Sequence, residues 1–425
     1  MWHRKPSCKS IARLLPSMLA MLLVPTAGCS QHILSKQAQP APEDHWIQTA
    51  DDWTLHILHY KPTEPLADSD PVILCHGLSH NNTFWDIAPS ISLAKYLQSQ
   101  GLDVWSVSLR GAGQSTKPEL SQLKQLFRLN ISVFNPAGLI NRQPALTRLN
   151  WTVDDHIAYD IPATINYVRK QTGHPQVHWI GHSLGAMIMF AYLATQDSSP
   201  INTFVGISGP MYLVRPANDV FEIMADQADF IRIGNMVTGT NLRAIFGTVT
   251  GNLIGTTPVD LLFFNDQNIE PAVMNVFYHQ CEEDISPGQL DQLIRFLKTG
   301  HFMSYDGSVD YTQLVPKITK PVLQIVGQMD SMANPGFVAL IHDRLTVKDK
   351  QLRTFGKING YWSDYGHDDI IIGRHARDDV FPYLSNWLVT HPATQPTTQP
   401  ASAPSKWPVI PLPNIFSPNK KNEAR

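Results

Sequence analysis

The chain has 425 residues, of which 43% are hydrophobic and 16% charged, and its net charge is −3. With 10 Trp, 12 Tyr and 17 Phe it holds enough apolar bulk for a sizeable core, which excludes wholesale disorder. The body becomes more acidic once the basic N-terminus is set aside, so it lacks the electrostatic footprint of a nucleic-acid binder.

At the N-terminus, Arg4, Lys5, Lys9 and Arg13 precede an apolar run from Leu14 to Val24. That run is shorter than the roughly 20 residues needed to span a bilayer, so it reads as a signal peptide over residues 1–28 rather than an anchor helix. Thr26-Ala27-Gly28 directly before Cys29 is similar to the cleavage box of bacterial lipoproteins. The similarity implies lipidation at Cys29, a lipid anchor in the bacterial cell envelope, and, with Ser30 next, the outer membrane. Residues 29–43 then serve as a linker. Cys75 and Cys281, the other cysteines of the mature chain, make no disulfide framework and read as inert thiols.

Within the body, Trp53, Leu55 and Ile57 alternate with polar residues, the pattern of an antiparallel opening hairpin over 53–60. Short apolar runs at 72–75, 104–107, 177–180, 204–207 and 322–326 read as parallel strands buried on both faces. Helical patterns at 92–100, 154–171, 184–195 and 376–389 alternate with them. The fold class is therefore α/β, a doubly wound, mostly parallel sheet with right-handed crossovers. The core comprises residues 44–209 and 307–390. Between them, 210–306 is far longer than an ordinary crossover and rich in Met, Phe, Ile and Leu, which predicts a helical cap insertion over the carboxyl end of the sheet. A second excursion, 114–150, leaves the fourth core strand. The Pro-rich stretch 391–425 reads as an extended or disordered tail.

Chemistry concentrates at Gly181-His182-Ser183-Leu184-Gly185, between a predicted strand and a predicted helix. In that context Gly-x-Ser-x-Gly is a nucleophile elbow, its glycines required by a turn too tight for side chains. A serine hydroxyl is a weak nucleophile and needs a base held by an acid, met in the chain order Ser, acid, His. Asp330 follows the strand 322–326, and His367 sits in a loop after the extended segment 351–358. Ser183, Asp330 and His367 are thus the candidate catalytic residues. His301 precedes a strand and His375 falls in the last predicted helix, which makes them weaker bases; Asp364 and Asp368 read as exposed loop acids. The backbone N–H groups of Leu184 and Leu78 are the candidate oxyanion hole, Gly77 allowing close approach and His76 reading as a structural hydrogen-bonding residue.

Several of these segments carry a resemblance. Val72-Ile73-Leu74-Cys75-His76-Gly77-Leu78, Ser92-Leu93-Ala94, Gly101-Leu102-Asp103-Val104-Trp105 and Arg110-Gly111 form one block. Tyr159 to Ile165 with Gly181-His182-Ser183 forms a second, and Tyr365-Gly366-His367-Asp368 a third. Together they resemble the α/β-hydrolases related to acid lipases and steryl ester hydrolases. The resemblance implies the α/β-hydrolase fold and a serine hydrolase acting on lipid or other carboxylic esters. Two departures stand out: Leu184 occupies a position where acid lipases generally have Gln, and Asp51-Asp52-Trp53 replaces an Asp-Gly turn. Ser183, rather than Cys or Asp, argues against polyester synthases, dehalogenases and epoxide hydrolases. No His-Glu-x-x-His, paired Cys-x-x-Cys or Gly-x-x-x-x-Gly-Lys occurs, so no metal, nucleotide or other cofactor is indicated. The expected partner is a small-molecule or lipid ester. An acyltransferase on the same triad and a non-catalytic binding lipoprotein are the alternatives.

Overall fold

A computed structural model describes residues 39–117, 150–214 and 260–393. The expected signal peptide over residues 1–28, Cys29, most of the 114–150 excursion, residues 215–259 of the expected cap and the tail from 394 lie outside the described residues. Among those described, no helix is long and apolar enough to cross a membrane.

Eight strands form one sheet: β1 (Glu43–Gln48), β2 (Thr54–Tyr60), β3 (Val72–Cys75), β4 (Val104–Ser108), β5 (Val177–His182), β6 (Ile201–Ile207), β7 (Val322–Gly327) and β8 (Lys350–Phe355). Their spatial order is β1-β2-β4-β3-β5-β6-β7-β8. β2 pairs antiparallel with both β1 and β4, and every other neighbouring pair is parallel. Side chains alternate across the pleat, so each parallel strand feeds two cores. Ile73, Cys75, Trp105, Val107, Trp179 and Phe204 belong to one, with helices α2 (Ile161–Thr172) and α3 (Leu184–Thr195). Val72, Leu74, Val104, Ile180 and Val205 belong to the other, with α1 (Leu93–Ser99) and the C-terminal helix Phe381–Val389.

Two predicted helices are interrupted, and proline explains both. Pro162 has no N–H to give to the carbonyl four residues back, and the turn before it, His156–Asp160, opens into a π-helix. Pro382 likewise divides the last helix into Ala376–Asp379 and Phe381–Val389, which leaves His375 outside as the N-cap of the first piece. The terminal boundaries shift slightly. Gln98 Nε2 donates to the Pro40 carbonyl at 3.1 Å, and Ala393 N donates to the Asp68 carbonyl at 2.7 Å, so both flanking segments dock on the body where they meet it.

The long connection between β6 and β7 leaves and returns at one point. Leu213 N donates to the Gly300 carbonyl at 2.9 Å, and Thr312 Oγ1 donates to the Met211 carbonyl at 2.6 Å. Its described half contains the helices Pro271–Val276 and Pro287–Thr299. Phe264, Val273, Phe277 and Tyr278 are buried in one core, Phe296 and Leu297 in the other. Cys75 and Cys281 are buried free thiols, and burial pushes both well above the ordinary thiol range, which keeps them unreactive near neutral pH.

Candidate active site

β5 ends at His182, and α3 begins at Leu184. Ser183 between them adopts φ 50°, ψ −117°, a strained conformation for a residue with a side chain. Its N–H is held by the Ile207 carbonyl at 2.8 Å, while its own carbonyl accepts from Ala186 N and Met187 N, each at 3.0 Å. A Cβ on Gly181 would stand 2.2 Å from the Gly185 carbonyl oxygen, and one on Gly185 would stand 2.3 Å from that of Cys75. Both contacts are with backbone that cannot give way, so the flanking glycines are a steric requirement. The turn delivers the serine hydroxyl to the N-terminus of a twelve-residue helix, where free amides and the helix dipole favour negative charge.

The three sequence-predicted side chains converge there. His367 Nε2 lies 2.9 Å from Ser183 Oγ. His367 Nδ1 lies 3.0 Å from each carboxylate oxygen of Asp330, to which its N–H donates. Asp330 Oδ1 also accepts from Met332 N at 3.0 Å and Ala333 N at 2.7 Å. The acid-bearing turn is tied to the histidine loop by a bond from Met329 N to the Tyr365 carbonyl at 2.8 Å. Burial by itself would raise the Asp330 carboxyl, but the adjacent imidazole and these donors hold it below the usual carboxylate range. Burial opposes charge on His367 too, yet the Asp330 carboxylate raises it above the ordinary imidazole value. A base oriented by an acid and aimed at a hydroxyl can accept that hydroxyl's proton.

The loop after β3 faces this centre. His76 Nε2 accepts from Leu109 N at 3.0 Å, and its Nδ1–H donates to the Gly77 carbonyl at 2.8 Å. Burial pushes this imidazole down to about 4, so it is a neutral staple between the ends of β3 and β4. Leu78 and Leu184, the two candidate oxyanion donors, border one small cavity of about 20 Å³.

Sequence reasoning missed a buried cluster on the other side of His367. His182 Nε2–H donates to the His367 carbonyl at 2.9 Å, and the two rings lie 4.9 Å apart. Asp368 is fully buried, not an exposed loop acid. Its oxygens lie 3.5 Å from His182 Nε2 and 3.8 Å from His80 Nε2. Burial pushes Asp368 up to about 8 and His182 down to about 3, so near neutral pH both are uncharged. The loop folds inward here because Asp369, also buried, accepts from Gly366 N at 2.8 Å, Asn265 N at 3.0 Å and Asn268 Nδ2 at 2.7 Å. Asp364, the other rival acid, is half-buried and accepts from Lys357 N at 2.8 Å. One signal was readable: His182, inside the Gly-x-Ser-x-Gly segment, ends a strand buried along its whole length.

A second unforeseen network braces the loop after β4. Buried Arg110 donates through Nε to Asp160 at 2.9 Å and through both terminal nitrogens to Asp51, at 2.7 and 3.0 Å. His156, one π-turn before Asp160, bonds its other oxygen at 2.7 Å and meets Gln289 Nε2 at 2.8 Å. The Asp51-Asp52 departure thereby acquires a use. Asp51 clamps the arginine, and Asp52 takes the left-handed conformation, φ 65°, that a glycine would adopt more easily.

With that geometry in place, comparison with known proteins decides the kinship. The profile of the α/β hydrolase fold matches residues 70–356, most of the chain. The chain belongs to the α/β-hydrolase fold family. It is 23% identical over 380 residues to triacylglycerol lipase 2 of Arabidopsis thaliana, covering 80% of this chain and 82% of that protein. It is 24% identical over 353 residues to the gastric triacylglycerol lipase of Rattus norvegicus, with coverages of 76% and 84%. The esterase EaEST of Exiguobacterium antarcticum has the same fold at a TM-score of 0.52 and 17% identity, over 82% of this chain and all of that one. This α/β-hydrolase stands with the lipases and esterases, as a carboxylic ester hydrolase.

Proposed function

We propose that this α/β-hydrolase cleaves hydrophobic carboxylic esters through a Ser183–His367–Asp330 triad. Ser183 Oγ attacks the ester carbonyl carbon while His367 Nε2 takes the hydroxyl proton. The tetrahedral oxyanion is held by the backbone N–H groups of Leu184 and Leu78. On collapse, the alkoxide leaves with the proton from His367, and an acyl-enzyme remains on Ser183. A water deprotonated by the same imidazole then releases the carboxylic acid and restores the serine. Asp330 keeps Nδ1 protonated, so that Nε2 faces Ser183 as a lone pair, and it stabilises the imidazolium formed in each step.

The observation that carries this reading is the continuous chain from Asp330 through His367 to Ser183 Oγ, with its last link at 2.9 Å. It is tested with Ser183→Ala. The variant is expected to lose p-nitrophenyl ester hydrolysis and labelling by a fluorophosphonate probe while keeping its far-UV circular dichroism. Undiminished hydrolysis would overturn the assignment.

Two finer features belong to the same proposal. The substrate carries a medium or long acyl chain. The apolar composition of residues 210–306 and the triacylglycerol lipases among the relatives support this, since an apolar pocket gains about 0.8 kcal/mol per buried methylene. A p-nitrophenyl series from acetate to palmitate is expected to show kcat/KM rising with length until the pocket fills; a steady decline from acetate would refute it. The protein is also held to the bacterial envelope by lipid on Cys29, which keeps its site close to lipid esters. Cys29→Ser should move it from the membrane fraction to the soluble one.

A further inference from the structure

Away from Ser183, toward the amino ends of the parallel strands, three potential metal ligands meet on the outer ribbon of the sheet. The antiparallel register sets Glu43 of β1 directly opposite His59 of β2. His45, two residues along β1, shares the face of Glu43 because side chains alternate. Glu43 Oε2 lies 3.8 Å from His45 Nε2 and 3.9 Å from His59 Nδ1, and all three atoms fall within 4.8 Å of one another.

The remaining nitrogen of each ring is already committed. His59 Nε2–H donates to Asp103 Oδ1 at 2.5 Å, and His45 Nδ1 is bonded to the Tyr167 hydroxyl at 2.8 Å. The His59 ring is further fixed by stacking on Trp105, with centroids 3.6 Å apart and planes at 9°. The Asp103 carboxylate, which only accepts, selects the His59 tautomer that leaves a lone pair on Nδ1. The Tyr167 hydroxyl, able to donate or accept, lets His45 Nε2 carry a lone pair as well; both nitrogens lie near Glu43. His45 Nε2 is buried with no hydrogen-bond partner, a costly state for a polar ring nitrogen unless something occupies the space before it. A ligating imidazole whose other nitrogen donates to a carboxylate is the usual outer support of a metal site.

We propose that Glu43, His45 and His59 form a divalent-cation site that prefers zinc. Two imidazoles and a carboxylate suit that ion, and zinc–ligand bonds of about 2.0–2.1 Å in a tetrahedron separate the ligands by about 3.4 Å. The two distances from the Glu43 oxygen, 3.8 and 3.9 Å, exceed that by little, and all three atoms lie within 4.8 Å of one another. The Glu43 side chain, 64% exposed, is free to move toward the rings. The fourth position opens on a pocket of about 420 Å³ bordered by Lys61, Asp68 and His174, with room for water. A bound ion would pin β1, the outermost strand, to β2. The buried trio His80, His182 and Asp368 is the weaker candidate, because His182 Nε2 spends its proton on the His367 carbonyl and turns no lone pair toward Asp368.

The test uses the full chain, stripped with chelator and then titrated with Zn²⁺ by calorimetry and with Co²⁺ by visible absorption. One equivalent is expected, with a raised unfolding temperature and the d–d bands of four- or five-coordinate cobalt. Glu43→Gln, at an exposed position that leaves folding intact, and His45→Gln are expected to weaken binding about tenfold or more. Asp103→Asn, which touches no metal, should weaken it by about 10–100-fold through the loosened hold on His59 and on Trp105, the ring His59 stacks on. Failure of the wild type to take up one equivalent overturns the proposal. So does uptake that Glu43→Gln and His45→Gln leave unchanged, which would locate the ion elsewhere.

Discussion

Asp330 and Asp368 are both buried beside His367, yet they hold opposite charge states. Asp330 receives the imidazole N–H and two backbone amides, and these outweigh desolvation, so it stays ionised. Asp368 has imidazole nitrogens only at 3.5 and 3.8 Å, too far to repay the loss of water, and burial pushes it up to about 8. Equal burial and similar proximity therefore do not make equivalent acids. What separates them is the number of donors within hydrogen-bond reach.

The sharpest way to break this comparison is to neutralise each acid in turn. Asp330→Asn is expected to lower kcat by about 10⁴-fold, because the imidazole loses the partner that sets its tautomer. Asp368→Asn should leave kcat within severalfold. Equal losses in steady-state kinetics would show that both acids serve the base.

A contrast of the same kind runs through Arg110, whose charge is buried but fully paired. Asp160→Ala strips one carboxylate from it and is expected to cost about 3–5 kcal/mol in urea-induced unfolding, since the guanidinium cannot regain water. A loss below about 1 kcal/mol would mean that Asp51 alone suffices.

Asp368 gives a pH-dependent counterpart. Its folded-state value, about 8, lies above the unfolded one, so the protonated form is favoured on folding. Stability from this group is complete below the unfolded carboxylate range and drains away as pH climbs toward 8. Asparagine cannot ionise, so Asp368→Asn should gain a few degrees in Tm over wild type at pH 8 and little at pH 4–5. A gain independent of pH would refute the assignment.

The smallest effect concerns the acid limb of kcat/KM. In the proposed mechanism His367 must be neutral to accept the serine proton, and Asp330 raises it above the ordinary value of 6.5. Activity is expected to fall as pH drops through a midpoint above 6.5. Any residual activity of Asp330→Asn should show that midpoint moved lower.

The parallel strands were legible because doubly buried strands must be continuous apolar runs, and the elbow because its tight turn demands two glycines around the serine. Asp330 and His367 were singled out by chain order together with their places after predicted strands, and they meet Ser183 because the fold returns each strand end to the same edge of the sheet. Local chemistry also marked where helices break, at Pro162 and Pro382, although the periodicity of 154–171 and 376–389 hides it.

The polar clusters were decided by the tertiary structure. Asp368 follows His367 in a segment that reads as loop, and only the folding of 364–369 onto Asn265 and Asn268 buries it. Arg110 meets Asp51 and Asp160 across wide sequence separations, and Glu43, His45 and His59 meet only because β1 and β2 pair in one register. Hydrophobic patterning reports which face of an element is covered, a local property with a fixed period. It carries no information on which distant polar group will lie across the gap, because a hydrogen bond depends on ångström distances that the whole fold sets.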